Sequence, residues 1–149
     1  MYKSEDVANY TINWCYENGI AITNLKLQKL LYFLQGNYYR YTGERLISED
    51  FYAWKLGPVV PKTYVAYSIY SSGKLPKEVD KNTLSNGAKN RISKILSEYA
   101  SIPTWDLVNL SHQEDPWKYT HAVFGDKSKI PFETIKEYYG RSEGEYGTE

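Results

Sequence analysis

Hydrophobic and polar residues alternate along this 149-residue chain mostly with the period of an α-helix, which predicts a mainly helical fold. The clearest pattern belongs to a helix that Thr23 or Asn24 is expected to cap and Gly43 to end, and its apolar face comprises Leu27, Leu30, Leu31, Leu34, Tyr38 and Tyr41. Further apolar side chains surround most of this helix, as is typical of a helix at the centre of a fold. Gly36 in its middle costs about 1 kcal/mol relative to alanine, so we expect another element to cross closely there.

Capping residues predict the remaining helices. Ser4, followed by two acidic residues, is expected to be the N-cap of a first helix that runs to about Asn18. Further helices are expected to begin at Pro61, Ser85, Thr104 and Pro131, with an additional turn at Pro116. The last of them is expected to stop at Gly140.

One segment has the alternation of a β-strand. It runs from Phe51 to Leu56, and Gly57-Pro58 is expected to end it. Residues 73–85 are polar and rich in lysine, which predicts a loop. The fold class is therefore α+β, mainly α with a small β element: a single compact helical domain of about six helices, plus a short strand or hairpin around residues 51–56.

Composition narrows the class of protein. The apolar fraction of 42% and the charged fraction of 24% are those of a globular protein and exclude a disordered chain. No segment approaches the ~20 apolar residues that a membrane helix needs, and the first residues do not resemble a signal peptide. Cys15, as the single cysteine, cannot form an internal disulfide. We therefore expect a cytoplasmic protein with no membrane partner, in which Cys15 is an inert, buried hydrophobe.

Aromatic residues are unusually frequent in this chain, and its charged residues are unevenly distributed along the sequence. The chain has 16 tyrosines and an aromatic fraction of 16%, which suits both a mixed core and a protein interface, and an aromatic-rich surface could also allow self-association. The formal net charge is zero, but residues 51–97 contain eight Lys/Arg against two Asp/Glu, an excess of +6. Residues 98–149 contain five Lys/Arg against ten Asp/Glu, a net charge of −5. The positive charge is thus concentrated in the middle of the chain.

The residues offer little for catalysis. No phosphate-binding glycine loop or nucleophile elbow is present, and we predict no catalytic residue, metal or cofactor. One alternative is a small metal-dependent hydrolase built on His112, Glu114, Asp115 and His121. The spacing of its two histidines, interrupted by a proline, does not match the ligand spacing of a hydrolytic zinc site.

A second alternative is a DNA-binding regulator that represses its own operon. The middle of the chain carries the basic residues Lys74, Lys77, Lys81, Lys89, Arg91 and Lys94. Acidic residues lie among them, the chain has only four arginines, and no helix-turn-helix with an arginine-rich second helix is evident. A solvated surface, or a surface that docks an acidic protein, is the favoured interpretation.

Three ordered motifs resemble a known family. Residues 25–36 have the sequence LKLQKLLYFLQG, residues 51–60 have FYAWKLGPVV, and residues 110–117 have LSHQEDPW. Together they resemble the SocA-like antitoxin domain, also called Panacea, which is frequent in bacterial prophage and toxin–antitoxin loci. The resemblance covers residues 5–140, whereas residues 141–149 have no apolar period and are expected to form a disordered tail. Ser111 departs from the threonine expected before the histidine.

The resemblance implies an antitoxin of a type II toxin–antitoxin or prophage module. Such a protein binds a cognate toxin directly, the toxin being encoded by an adjacent gene, and one type of domain serves many unrelated toxins. Neutralisation by occluding the toxin and delivery of the toxin to a protease both remain open. The resemblance supplies no catalytic residues.

The motif positions are assigned to the common scaffold. They are Leu27, Leu30, Leu31, Tyr32, Gly36, Trp54, Gly57, Pro58, Tyr64, His112 and Trp117, with Trp54 and Trp117 expected to anchor the core. Specificity for the toxin is expected in variable, exposed positions, because the partners differ while the scaffold does not. The predicted toxin-binding residues are Tyr67, Tyr70, Lys74, Lys77, Lys89, Arg91 and Lys94, where aromatic side chains adjoin concentrated charge.

Overall fold

The computed structural model describes the backbone of residues 1–147 and the side chains of residues 1–140. In this part of the chain it contains seven α-helices: α1 (Ser4–Glu17), α2 (Asn24–Thr42), α3 (Pro61–Tyr67), α4 (Asn86–Tyr99), α5 (Thr104–Gln113), α6 (Asp115–Phe124) and α7 (Phe132–Gly147). Three short strands accompany them: β1 (Phe51–Trp54), β2 (Gly57–Val59) and β3 (Ser128–Ile130). A 3-10 turn, Ser68–Tyr70, follows α3. The mainly helical fold with a small sheet is confirmed.

Helix α2 is the centre of the fold, as its circumferential apolar pattern predicts. It packs against α1, α4, α5 and α7, and most of its side chains from Asn24 to Tyr38 are buried. The Thr23 side chain caps its first turn by accepting a hydrogen bond from the backbone amide of Lys26 (3.3 Å). Gly43 ends it in the left-handed conformation, with φ of 73°. Both predicted ends of this helix are confirmed.

The close crossing expected at Gly36 is also present. A Cβ atom at Gly36 would lie 2.2 Å from the ring of Tyr139, which is on α7 and almost completely buried. The absence of a side chain therefore lets the Tyr139 ring pack directly on the backbone of α2. The helical cost of a glycine is offset by this contact.

The sheet has the order β2-β1-β3, and both pairings are antiparallel. β1 confirms the predicted strand, although it ends at Trp54. Gly57-Pro58, which was expected to end the strand, instead begins β2, and Trp54 pairs with Gly57 across a two-residue turn. Gly57 has φ of 109°, which explains why a glycine stands there. The third strand, β3, was not predicted, because three residues are too few to show a periodicity.

Three boundary predictions are wrong. Ser4 is inside α1 and Lys3 is the N-cap, because the Ser4 hydroxyl bonds to the Glu49 carboxylate (2.7 Å) instead of to its own helix. The turn at Pro116 extends into a complete helix, α6, so seven helices form where about six were expected.

α7 continues past Gly140, which has no positive φ and packs against the Tyr39 ring. Of the predicted disordered tail, residues 141–147 thus continue α7 in backbone, and residues 148–149 lie outside the described residues.

No helix in the described residues is long and apolar enough to span a lipid bilayer.

Candidate functional site

An open groove lies where the N-terminal end of α2 meets the β1–β2 hairpin, α3 and the first turn of α5. Its volume is about 660 Å³, within the range of specific binding pockets. Its apolar and aromatic lining comprises Leu25, Trp54, Leu56, Val59, Tyr64 and Trp105. The Trp54 and Tyr64 rings meet edge to face at 5.0 Å, whereas Trp105 is 60% exposed and Leu56 is 42% exposed. The groove therefore leaves large apolar side chains open to solvent.

The lining of the groove carries more positive than negative charge. Lys55, Lys127 and Asp126 are part of its lining, and the Lys127 ammonium lies 5.1 Å from the centre of the Trp54 ring. Lys74 is close to it as well, because its backbone pairs with that of Thr23, a residue of the groove wall. Two lysines, Lys55 and Lys127, thus stand against one carboxylate in the lining of an apolar groove.

A buried lysine supports the hairpin from inside. The Lys29 ammonium donates a hydrogen bond to the Pro58 carbonyl oxygen (2.6 Å), and its side chain passes so close to Gly57 that a Cβ there would lie 2.7 Å from the Lys29 Cε. Burial without a carboxylate partner lowers the pKa of Lys29 to about 7. The Lys29 ammonium therefore holds the hairpin backbone in place, and it loses its proton at a lower pH than an exposed lysine does.

A stack of three rings holds the tip of the hairpin. The Trp117 indole N–H donates to the Trp54 carbonyl oxygen (2.8 Å), and the His112 Nε2 lies 3.1 Å from the Lys55 carbonyl oxygen. The imidazoles of His112 and His121 both stack on the Trp117 indole, at 4.0 and 4.5 Å. Burial lowers the pKa of His112, so its neutral form predominates, with the proton on the nitrogen that faces the carbonyl.

In the hydrolase alternative, Glu114 contacts two tyrosines, whereas His112 and His121 stack on Trp117. Glu114 accepts hydrogen bonds from the Tyr32 hydroxyl (2.8 Å) and the Tyr139 hydroxyl (2.7 Å), and burial raises its pKa. His121 lies 3.4 Å from Asp126. Among the described side chains, no group of three or more His, Cys, Asp or Glu could hold a metal ion. The described side chains of His112, Glu114, Asp115 and His121 therefore do not form the metal site that this alternative requires.

Cys15 is fully buried, and burial raises its pKa to about 11. Both observations agree with an inert thiol.

The predicted toxin-binding residues occupy two separate places. Tyr70, which is 41% exposed, and Lys74 flank the groove, since Ser71 and Ser72 between them line it. Arg91 instead stacks on the ring of Tyr41 (4.8 Å), at the opposite end of α2. At 1.5 Å per residue, the two ends of α2 are about 25 Å apart.

The other predicted contact residues have partners within the chain. The Tyr67 hydroxyl donates to the Glu78 carboxylate (2.8 Å), and burial together with Glu78 raises its pKa. Lys77 lies 5.6 Å from the Tyr16 ring, and Lys89 donates to Asn82 (2.6 Å). Lys94 is exposed on α4. Tyr67 is thus half-buried and less available than the sequence suggested.

The scaffold positions divide by burial. The buried ones are Leu27, Leu30, Leu31, Tyr32, Gly36, Gly57 and Pro58, whereas Trp54, Tyr64, His112 and Trp117 are half-buried. The half-buried group lies at the groove or directly behind it. Trp54, expected as a core anchor, is part of the groove wall, so a motif residue faces a candidate binding surface.

Sequence reasoning did not identify the groove. Helical spacing offers two apolar pairs for burial in α5, Trp105 with Val108 or Leu107 with Leu110, and the structure buries one residue of each pair, Val108 and Leu107. The neighbours of Trp105, Thr104 and Asp106, are polar, and a tryptophan in polar surroundings is the one signal that pointed to the surface.

Two comparisons with known proteins agree with one another. A model of the family described as Antitoxin SocA-like, Panacea domain, matches residues 27–118, which include most of α2, the β1–β2 hairpin and α3 to α5. Antitoxin SocA of Caulobacter vibrioides (strain NA1000 / CB15N) is 44% identical over 62 residues, which are 42% of this chain. The match spans about a third (33%) of that relative's length. No solved structure matches the chain.

Proposed function

The chain belongs to the SocA-like antitoxin family, and we propose that it neutralises a cognate toxin by binding it directly, in a bacterial toxin–antitoxin or prophage module of type II. The toxin is the product of an adjacent gene, and the complex forms in the cytoplasm. The family match over residues 27–118 carries this proposal. Neutralising the toxin in this way requires only that the chain binds it, and no reaction on a small molecule is needed.

The exposed surface suits a protein partner. Aromatic residues on α5 and after α3, namely Trp105 and Tyr70, are open to solvent, and such side chains dominate the energy of protein interfaces. The basic residues of positions 74–94 complement an acidic toxin and would accelerate its association. Tyr67, Tyr70 and these basic residues are therefore the proposed contact positions.

Co-expression tests the function. The chain is expressed with the product of the neighbouring gene, and growth is scored. We expect rescue of growth and a stable complex on purification, burying at least about 1,000 Å² as specific interfaces do. Loss of growth despite soluble antitoxin, with no complex recovered, would contradict the proposal.

Variants then test the contact positions. Tyr67→Ala/Tyr70→Ala and Lys89→Glu/Lys94→Glu are each expected to weaken toxin binding, measured by calorimetry. Matched controls are Tyr119→Ala, which removes an exposed tyrosine on α6, and Lys62→Glu/Lys118→Glu, which reverses two exposed charges elsewhere. If both test variants bind and rescue as wild type does, these contact positions are wrong even though the function stands.

A further inference from the structure

The groove at the N-terminal end of α2 is open and lined largely by apolar side chains. We propose that it is the anchor site for the toxin, and that it binds an acidic segment of the toxin which carries at least one bulky apolar side chain. This inference rests on the proposed function and adds to it the place and the chemistry of the contact.

The apolar lining indicates the anchor side chain. Six apolar or aromatic residues from α2, the β1–β2 hairpin, α3 and α5 converge on the groove, and its volume of about 660 Å³ admits several side chains. Trp105, at 60% exposed, is the largest hydrophobic side chain left in solvent among the described residues of the groove. Covering it removes apolar surface from water, which is the usual source of binding free energy at the centre of an interface.

The charge around the groove indicates the acidic character of the segment. Its lining holds two lysines, Lys55 and Lys127, against one acidic residue, Asp126, which is 3.4 Å from His121. A carboxylate beside the anchor side chain would meet ammonium groups, and a basic segment would meet like charges. Complementary charge favours the right partner and raises the rate of encounter.

The walls are already held in place, which lowers the entropic cost of binding. The carbonyl oxygens of Trp54, Lys55 and Pro58 are each bonded to a side chain behind the hairpin. On the opposite wall, the Asn24 side chain donates to the Tyr64 carbonyl oxygen (3.0 Å). The groove is thus formed before the partner arrives.

The position of the groove is consistent with the proposed contact residues. Ser71 and Ser72 are part of its lining, so a toxin segment seated there also passes Tyr70 and Lys74. The basic residues of α4 lie towards the other end of α2 and are expected to contribute to encounter more than to the anchor.

The test uses the full chain and two probes. The first is the purified product of the neighbouring gene, and the second is a set of overlapping 15-residue peptides that cover its sequence. Trp105→Ala and Leu56→Glu change exposed groove side chains without disturbing the core, and Lys55→Glu/Lys127→Glu reverses the charge at the groove. Phe124→Ala, 68% exposed on α6, and Lys62→Glu/Lys118→Glu are the matched controls.

We expect Trp105→Ala and Leu56→Glu each to weaken toxin binding at least about tenfold, as the loss of a central anchor does. The charge-reversed variant is expected to slow association and to lessen the effect of salt. The controls are expected to bind as wild type does. Peptides that bind wild type and fail to bind Trp105→Ala are expected to contain an acidic residue within a few positions of a large apolar one.

Each contrary result has a distinct meaning. If wild type binds the toxin and all groove variants bind it equally well, the anchor site is wrong while the proposed function stands. Binding peptides that are basic or wholly polar would overturn the chemistry proposed for the segment. Self-association of wild type that Trp105→Ala abolishes, with toxin binding retained, would assign the groove to a second copy of the chain. If wild type neither binds nor neutralises the toxin, the proposed function itself fails.

Discussion

The centre of the molecule and the loop before α4 are held by different kinds of contact. Around α2, the Tyr139 ring fills the space over Gly36, and the hydroxyls of Tyr139 and Tyr32 share the Glu114 carboxylate. The loop of residues 71–85, by comparison, buries two of its side chains, Leu75 and Leu84. The stability of the centre therefore depends on how closely its side chains fill the available space. The loop, which buries few side chains, depends much less on such packing.

The loop is attached to α1 through its backbone. Asn13 accepts a hydrogen bond from the Glu78 amide (2.8 Å) and donates to the Glu78 carbonyl oxygen (3.0 Å). Asn9, one turn earlier, donates to the Val79 carbonyl oxygen (2.9 Å) and accepts from the Lys81 amide (3.0 Å). Two asparagines at helical spacing thus pair with the loop much as a neighbouring strand would.

The difference suggests how one scaffold could present many surfaces. Contacts to the backbone of a loop do not depend on most of its side chains, so residues such as Lys77 and Val79 can change without loss of the loop's position. Contacts made by packed rings, such as that of Tyr139, tolerate almost no change of size. Four predictions test this comparison, in order of decreasing effect.

The largest effect is expected from Gly36→Ala. The added Cβ would lie 2.2 Å from the Tyr139 ring, which is buried and fixed by its hydroxyl, so the ring or α7 must move. We expect the free energy of unfolding, measured in urea, to fall by about 3 kcal/mol, the upper part of the range for overpacking. Gly87→Ala in α4 is the control, since nothing lies within 4 Å of its Cβ, and it is expected to be neutral or slightly stabilising. Equal stability of the two variants would show that the centre is not limited by volume.

Removal of the shared carboxylate is expected to have the next largest effect. Glu114→Ala leaves two buried tyrosine hydroxyls without their acceptor, which costs about 2 kcal/mol or more. Glu114→Gln keeps an oxygen in the same place and is the matched control, expected to retain most of the stability. Thermal and urea unfolding compare the three proteins. If the glutamine variant loses as much as the alanine variant, the negative charge and not the acceptor geometry is what the centre needs.

The pH dependence of stability tests the buried lysine. Because the pKa of Lys29 is about 7 in the folded chain and higher when unfolded, the unfolded chain binds more protons between these values. The contribution of Lys29 to stability therefore increases as the pH rises from 7 towards 10. Relative to Lys29→Met, we expect the wild-type free energy of unfolding to gain about 2 kcal/mol between pH 7 and pH 9. Parallel pH profiles of the two proteins would mean that Lys29 does not titrate in this way.

The parts of the fold that periodicity encodes could be predicted from the sequence. α2 and α4 have long apolar faces and capping residues, and both were located correctly, with Ser85 as the predicted cap of α4 and Thr23 as one of the two candidate caps of α2. β3 and the full extent of α6 were missed, because a three-residue strand and a short helix behind a proline have too little pattern of their own. Tertiary pairing decides such elements.

The groove could not be predicted for a different reason. Its lining comes from four segments that are distant in sequence, and no local pattern shows that Leu25, Trp54 and Trp105 face the same space. The motif around Trp54 was recognisable, but its meaning was ambiguous, since a tryptophan serves equally well in a core and at an interface. No sequence pattern predicts the roles of Asn9 and Asn13, because their hydrogen-bond partners are backbone groups about 65 to 72 residues away.

The smallest effect on overall stability is expected at the attachment of the loop, and it separates the two regions most directly. Asn13→Ala removes the side-chain donor and the side-chain acceptor that pair with the backbone carbonyl and amide of Glu78. We expect this to lower the free energy of unfolding by about 1 kcal/mol. We expect hydrogen exchange of the amides of residues 77–81 to accelerate strongly, while the amides of α2 keep their protection, because local opening need not unfold the packed centre. Asn90→Ala, an exposed asparagine on α4, is the control and is expected to change neither rate. Uniform acceleration of exchange in the loop and in α2 would show that the two regions open together, and the loop could then not vary independently of the scaffold.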